Sequence, residues 1–332
     1  MNAMLFYVLN PLVNALVATI LGFVVYFRNR KHLVNKVFSL FCVAVAIWAY
    51  AYFIWFLLAD KNLILLNHRI FLMGASIFIA ILFFHSVLAF TNKIKEYKKF
   101  LVWGYAIFSL FLLADWFTPF IVKDVQREMF FEFWPKAGIL LPYFLVAWYF
   151  YFLLSGYIIL KEIKRLSSSK SKTDISYKAQ LKYIFVGGII GLIGSVSNYF
   201  LWYGVPIPPI VNFFVAVGMI VVAYGIVKHN LFNIKLLISE LLVFVIWIVV
   251  IARTALSISY QDFLINAILA SLVFAAGIFL MRSVSNEAEM EKKMLAETQK
   301  SLDFEKRLRE TFAEIAEEQT KKIEKIISSK SQ

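Results

Sequence analysis

Few side chains in this sequence are equipped for bond-making chemistry, and they do not cluster. The single cysteine, Cys42, lies inside an apolar run. An intramolecular disulfide and a thiolate metal cluster are therefore both excluded within this chain, and Cys42 reads as a small buried hydrophobe. Glu240 and His85 are the ionisable residues that sit clearly inside apolar runs. Glu240 is within reach of Lys235 or Lys228, and His85 is a group that could titrate near neutral pH. For each, a satisfied structural role competes with a functional one. No chain of carboxylates and no arginine-studded helix crosses the apolar runs, and those would mark a proton-coupled transporter or a voltage sensor. The expectation is no catalytic residue, no metal set and no cofactor. Recognition is the chemistry that remains. Asn198 and Asn212 are amides in apolar surroundings, where they need partners. They are expected to bond across two helices or to contact a ligand.

The elements that hold these residues are apolar. The 332 residues are 61% hydrophobic and 17% charged, against about 45–50% and about 25% in a soluble domain. Nine apolar segments follow: 5–27, 37–58, 70–90, 100–114 (extendable through Trp116 and Phe117), 138–160, 183–203, 210–227, 236–251 and 263–281. In lipid each must be helical, because a helix satisfies its own backbone polar groups, and most approach the roughly 20 residues that cross a bilayer. The expected fold is all-α: a polytopic helical membrane protein of about nine spans. The loops after spans 1, 3, 5 and 7 carry 17 Lys/Arg, and those after spans 2, 4, 6 and 8 carry 6. The first set is placed in the cytoplasm, with the N-terminus outside and the C-terminus inside. "MNAMLFYVL" has no positive n-region and reads as a first span, not as a cleaved signal.

The net charge of +13 belongs to this membrane part. Residues 1–282 hold 24 Lys/Arg against 10 Asp/Glu, and the last 50 hold 10 against 11. That distribution argues for inner loops against lipid head groups and against nucleic acid. The Ser/Lys-rich loop 161–182 fits the same role.

On the outer half stand all seven prolines and the aromatic loop 115–137, with "MFFEFWP". The prolines fit either loops and first turns or an irregular backbone lining a ligand cavity. The aromatics fit either an interfacial anchor or a hydrophobic cover over an apolar ligand. Gly187, Gly191 and Ser195, spaced by four, make one small face on span 6 that suits close helix packing. On the cavity reading, Asn198, Trp202, Asn212, Tyr143 and Trp134 are the expected ligand-binding residues.

"FLMRSVSNEAEMEKKM" (279–294) marks where the apolar chain turns to charge. From Ser283 to about Ile327 there is no proline or glycine. Leu295, Leu302, Leu308, Phe312, Ile315, Ile323 and Ile326 form a thin stripe with interrupted heptad spacing. One such stripe needs a partner helix, and a second copy of the same chain is the simplest.

At the end of span 7 stands "YGIVKHNLFNIK" (224–235). Tyr224, Gly225, Lys228, Leu231, Phe232, Asn233 and Ile234 resemble the closing signature of the N-terminal seven-helix sensor region of bacterial histidine kinases. The resemblance covers roughly residues 5–235, and the segment 240–284 is similar to a two-span extension in some of these kinases. It implies a seven-helix sensor domain (1–235), a two-helix extension (236–282) and a cytoplasmic coiled-coil signalling helix (283–332). In such kinases the coiled coil enters a helix with a phospho-accepting histidine and then an ATP-binding domain. Here the histidines are His32, His68, His85 and His229, none in the tail, and no P-loop or Gly-rich lid is present. The expectation is a sensor without a kinase core, natural or truncated. It would lie in the bacterial cytoplasmic membrane, homodimerise through the C-terminal helix and signal to a kinase core or another cytoplasmic protein. A transporter or channel subunit with an oligomerising tail, or a passive membrane scaffold, are the alternatives.

Overall fold

The computed structural model describes residues 3–169, 171–227, 243, 246, 247, 250, 254 and 259–330. The chain divides into two compact units, 1–232 and 233–332. Lys228, Leu231, Phe232 and Asn233 of the signature, most of the eighth apolar run, and Glu240 lie outside the described residues.

The first unit is helical apart from one hairpin. Its helices are α1 (Ala3–Arg28), α2 (Leu33–Trp55), α3 (Lys61–Asn67), a π-helical turn (His68–Met73), α4 (Gly74–Phe90), α5 (Lys98–Phe117), α6 (Leu141–Arg165), α7 (Lys172–Val196) and α8 (Phe214–Val227). Among the described residues of the whole chain, seven helices are long and apolar enough to cross a membrane, so the chain is a multi-pass membrane protein in contact with lipid. They correspond to expected spans 1 to 6 and 9. The seventh is shorter than expected. The prolines at 206, 208 and 209 leave Ile210–Phe213 in turns, so the helix starts only at Phe214.

Local chemistry explains the breaks. Asp60 caps α3, its carboxylate accepting from Leu63 N at 2.9 Å. After α4, Asn92 takes a left-handed conformation (φ 56°) and Lys93 N donates to Leu88 O at 2.8 Å. That bond closes the C-terminal motif usually built on glycine, which asparagine tolerates.

The helices form a closed ring. α1 packs on α2, α2 on α4, α4 on α6, α6 on α7, α7 on α8, and α8 returns to α1. α5 lies outside the ring against α4. Outward faces stay apolar, as lipid contact requires: Tyr143, Val146, Phe150, Leu153 and Tyr157 on α6 repeat at steps of three and four and are all exposed. Phe144, Trp148, Tyr151 and Ser155 form the buried opposite stripe.

The loop between α5 and α6, expected as either an aromatic anchor or a hydrophobic cover, is a β-hairpin. β1 (Val122–Glu128) pairs antiparallel with β2 (Phe131–Ala137). Met129 sits at the turn with φ 53°, a conformation that costs a bulky residue roughly 1–2 kcal/mol. Some of its aromatics are exposed (Phe120, Phe130), but Phe131 and Trp134 are fully buried. The hairpin is fastened at one end of the ring. Arg69 Nη2 donates to Val122 O at 2.9 Å, Lys61 pairs with Asp124 at 2.9 Å, Tyr7 stacks edge-on against Phe131, and β2 touches the 3-10 turn 201–203. These four attachment points all belong to segments that loop charge assigns to one side of the membrane.

The second unit contains α9 (Tyr260–Lys330), a continuous helix of 71 residues, about 106 Å at 1.5 Å per residue. Its apolar part lies against Trp247. Trp247 Nε1 donates to Val273 O at 3.3 Å, and its ring stacks on Phe274 at 4.7 Å. The helix passes through the apolar-to-charged change at 282–283 without a break. Leu302, Leu308 and Phe312 of the expected stripe are exposed.

Candidate functional site: an aromatic cavity inside the helix ring

The ring lines a partly open cavity of about 70 Å³. α2 supplies Trp48, Tyr52 and Trp55, a stripe spaced by four and three that puts all three rings on one face. The π-helical turn and α4 add Leu72, Met73, Ser76 and Phe83, and α6 adds Trp148 and Phe152. β2 contributes Trp134 and Pro135. The end of α7 and the 3-10 turns after it contribute Gly191, Ser195, Asn198, Tyr199 and Trp202. α8 closes the wall with Val215, Gly218, Met219 and Val222.

The rings brace one another. Trp55 packs on Trp134 at 4.8 Å and on His68 at 4.5 Å, Tyr52 stacks on Trp55 at 5.1 Å, and Phe131 packs on Trp134 at 4.5 Å. Edge-on and offset pairs of this kind add about 0.5–1.5 kcal/mol each beyond area burial. Trp148 Nε1 donates to Ser76 O at 3.1 Å, and Ser76 Oγ lies 3.4 Å from the Tyr199 hydroxyl. The described lining holds no carboxylate, ammonium, guanidinium or imidazole.

α7 and α8 meet backbone to backbone. A Cβ on Gly218 would fall 2.6 Å from Gly187 O and 2.5 Å from Gly191 N, and one on Gly194 would fall 2.7 Å from Val215 N. The small face is thus a packing face at Gly187. At Gly191, however, an added Cβ would meet nothing within 4 Å, because that side opens on the cavity. Farther along, a Cβ on Gly225 of the signature would fall 3.0 Å from Gln180 O, and Tyr224 packs edge-on to Tyr183 at 4.8 Å. The two described signature residues therefore sit on the α7–α8 seam.

An amide relay leads from the cavity wall to α1. Asn198 Nδ2 donates to Ser195 O at 3.1 Å and to Asn212 Oδ1 at 3.2 Å. Asn14 on α1 donates to Asn212 O at 3.2 Å and accepts from Ala216 N at 3.0 Å. Ala216 lies in the first turn of α8, where backbone N–H groups lack partners within the helix. Asn14 caps that helix from another one.

Of the five expected ligand-binding residues, Asn198, Trp202 and Trp134 line the cavity. Asn212 stands behind Asn198, buried and bonded to it. Tyr143 does not join them. It is 66% exposed, because the helical phase that turns Phe144 and Trp148 inward turns Tyr143 to the lipid face. Sequence reasoning missed Trp48, Tyr52, Trp55, Trp148 and Asn14. The aromatic stripe of α2 and an asparagine in an apolar span were the available signals.

Residues 11–235 match the family described as the N-terminal 7TM region of histidine kinase. No curated protein and no solved structure matches the chain. The match spans more than half of the sequence and covers nearly all of the helix ring, its hairpin and every residue of the cavity wall. This chain belongs to the family of N-terminal 7TM regions of histidine kinases.

Proposed function

We propose that the chain senses a stimulus at the aromatic cavity, from outside the cell or from within the bilayer, and passes it to the cytoplasm through α9. The family supports the coarser statement directly: a membrane sensory module of two-component type, whose seven-helix region is itself non-catalytic. The finer reading rests above all on the unbroken course of α9 from an apolar span into a charged helix. A helix without proline or glycine beyond residue 282 resists bending, so rotation or sliding at one end arrives at the other.

The cavity has a route to the far end of its own unit. Asn198 faces the cavity, Asn212 and Asn14 hold the start of α8, and α8 is the last described helix before the chain passes to the second unit. A stimulus acts only if it stabilises two states unequally, and a tenfold difference in affinity supplies about 1.4 kcal/mol. We place the protein in a bacterial cytoplasmic membrane with α9 inside, on the loop-charge asymmetry. α9 pairs with a second copy through the stripe that contains Leu302, Leu308 and Phe312, and delivers the signal to a kinase core or another cytoplasmic protein.

The test fuses the chain beyond residue 330 to a kinase core and measures autophosphorylation in vesicles. Insertions of one to seven residues near Ser283 rotate the output end by about 100° per residue. Phosphorylation should rise and fall with a helical period. Output that stays constant through all seven insertions refutes transmission along α9.

A further inference from the structure

The cavity is long for its volume. Its wall runs about 21 Å along α2, from Phe41 to Trp55, and about 12 Å along α7, from Gly187 to Ser195. The free space within it is about 70 Å³, which at about 10–15 Å³ for each water-sized group holds about six of them. Spread over such a length, those groups stand one behind another and not side by side. A space of that length and volume admits a slender body and excludes a compact one.

The wall offers an occupant little polarity. Among the described residues no charged side chain lines it. Its polar groups are engaged within the wall: Trp148 Nε1 donates to Ser76 O, Ser195 Oγ to Leu192 O, and Asn198 Nδ2 to Ser195 O and Asn212 Oδ1. Trp134 Nε1 and Asn198 Oδ1 lack a partner among the described residues, but both are closed to a water-sized body. What remains to meet an occupant is aromatic and aliphatic carbon and, at Gly191, the room left by an absent side chain. Water there would find few partners, and an empty slot forfeits the dispersion contacts of the atoms around it. A hydrocarbon restores those contacts with no polar group to desolvate.

We propose that this cavity holds a single unbranched alkyl chain, the tail of an amphiphile whose polar head stays outside. The proposal rests on reading the cavity as the input site, but not on the route through α9. The cavity is partly open, so a chain enters while a head group too polar for the wall remains behind. An extended chain advances about 1.3 Å per carbon, so the length of the wall corresponds to about 9–16 carbons. Two sources share this chemistry: an acyl chain of a bilayer lipid, and a free single-chain amphiphile.

The experiment reads tryptophan fluorescence. Five of the eight tryptophans, Trp48, Trp55, Trp134, Trp148 and Trp202, line the cavity. Trp103→Phe, Trp116→Phe and Trp247→Phe together leave only these five in the full chain, which is placed in nanodiscs. In one arm the disc lipid carries brominated acyl chains. In the other the lipid is unbrominated, and undecanol with a terminal bromine is added. Bromine quenches indole at contact, and a chain in the cavity should quench these rings saturably. Gly191→Val fills the open space and should abolish that saturable part. Decanol should relieve the quenching, and adamantanol, with the same number of carbons in a cage, at least about tenfold less well, because a cage must part the helices to enter. Quenching in the first arm assigns the chain to the bilayer, quenching in the second alone assigns it to a free amphiphile, and either supports the proposal. If Gly191→Val does not fold, the ratio of decanol to adamantanol in the parent decides. Quenching indifferent to a folded Gly191→Val, or relief by adamantanol equal to that by decanol, overturns the proposal. A chain-filled cavity in a kinase fusion that ignores decanol would keep the site and refute its role as signal input. Failure of both arms overturns the site and leaves the α9 test untouched.

Discussion

Replacing Gly218 with alanine puts a methyl carbon 2.5 Å from Gly191 N, 2.6 Å from Gly187 O and 2.8 Å from Gly191 Cα. All three are backbone atoms of α7, so no side chain can rotate away. Ordinary carbon contacts lie near 3.5–4.0 Å, and the two helices must part by about 1 Å. Overpacking of this sort costs about 1–3 kcal/mol. Alanine recovers about 0.5–1 kcal/mol over glycine in a helix, which leaves Gly218→Ala about 1–2 kcal/mol less stable than the parent. Gly191→Ala is the internal control, one turn from Gly187 on the same helix. Its methyl meets nothing within 4 Å, so the propensity gain stands alone and the variant should gain about 0.5–1 kcal/mol. The two alanines should therefore differ by about 2 kcal/mol, roughly thirtyfold in the unfolding equilibrium. Reversible denaturant titration in mixed micelles, read by tryptophan fluorescence, measures it. Equal stability for the two variants, or a loss at Gly191 matching that at Gly218, refutes both the close α7–α8 seam and the open space beside Gly191.

Asn14→Leu removes the cap on Ala216 N and a bond to Asn212 O, and should destabilise the first unit by about 1–3 kcal/mol; denaturant titration against the parent checks it. Arg69→Met releases the carbonyl of Val122, and should raise proteolysis within residues 118–138 well before the helices are cut. The Lys61 ammonium beside Asp124 holds that carboxyl below its usual range. A depressed carboxylate stabilises above its unfolded value of about 4 and loses that contribution as pH falls through the lower folded value. The hairpin should thus loosen only below about pH 4. Both partners are about half exposed, so the pair contributes at most about 1 kcal/mol, and Lys61→Ala should abolish the pH step in hydrogen exchange of β1.

The helical architecture was legible because hydrocarbon thickness fixes span length, and 61% apolar composition leaves few other folds. Asn198 and Asn212 were legible because an amide in an apolar span must find a partner. The hairpin was not. Its turn, Met129–Phe130, has neither the asparagine nor the glycine that announces a tight turn, and register shifts on both sides of Asp124–Gln126 blur the alternation that marks a strand. Asp115, placed at the start of a loop unless span 4 ran on through Phe117, is fully buried at the end of α5, where α5 meets the π-helical turn. Sequence spacing does not reveal such depth when a helix runs past its apolar stretch. The α2 wall of the cavity escaped notice for another reason: Trp48, Tyr52 and Trp55 share a helical face, but most such faces are packed solid. Only the assembled ring shows that this one is not.

The wide turn at His68–Met73 takes up one residue more than regular winding would need. At its start, Arg69 is aimed at the hairpin. Behind it, Ser76 and Phe83 are aimed at the aromatic chamber. Deleting a single residue from 68–73 could be absorbed by tightening that turn, leaving both halves near their bearings. The same deletion at Ile79 would swing everything beyond it by about 100°, presenting lipid-facing side chains to the chamber. This span therefore carries its slack in one place, and the surface it offers to the chamber is set independently of the grip it keeps on the hairpin.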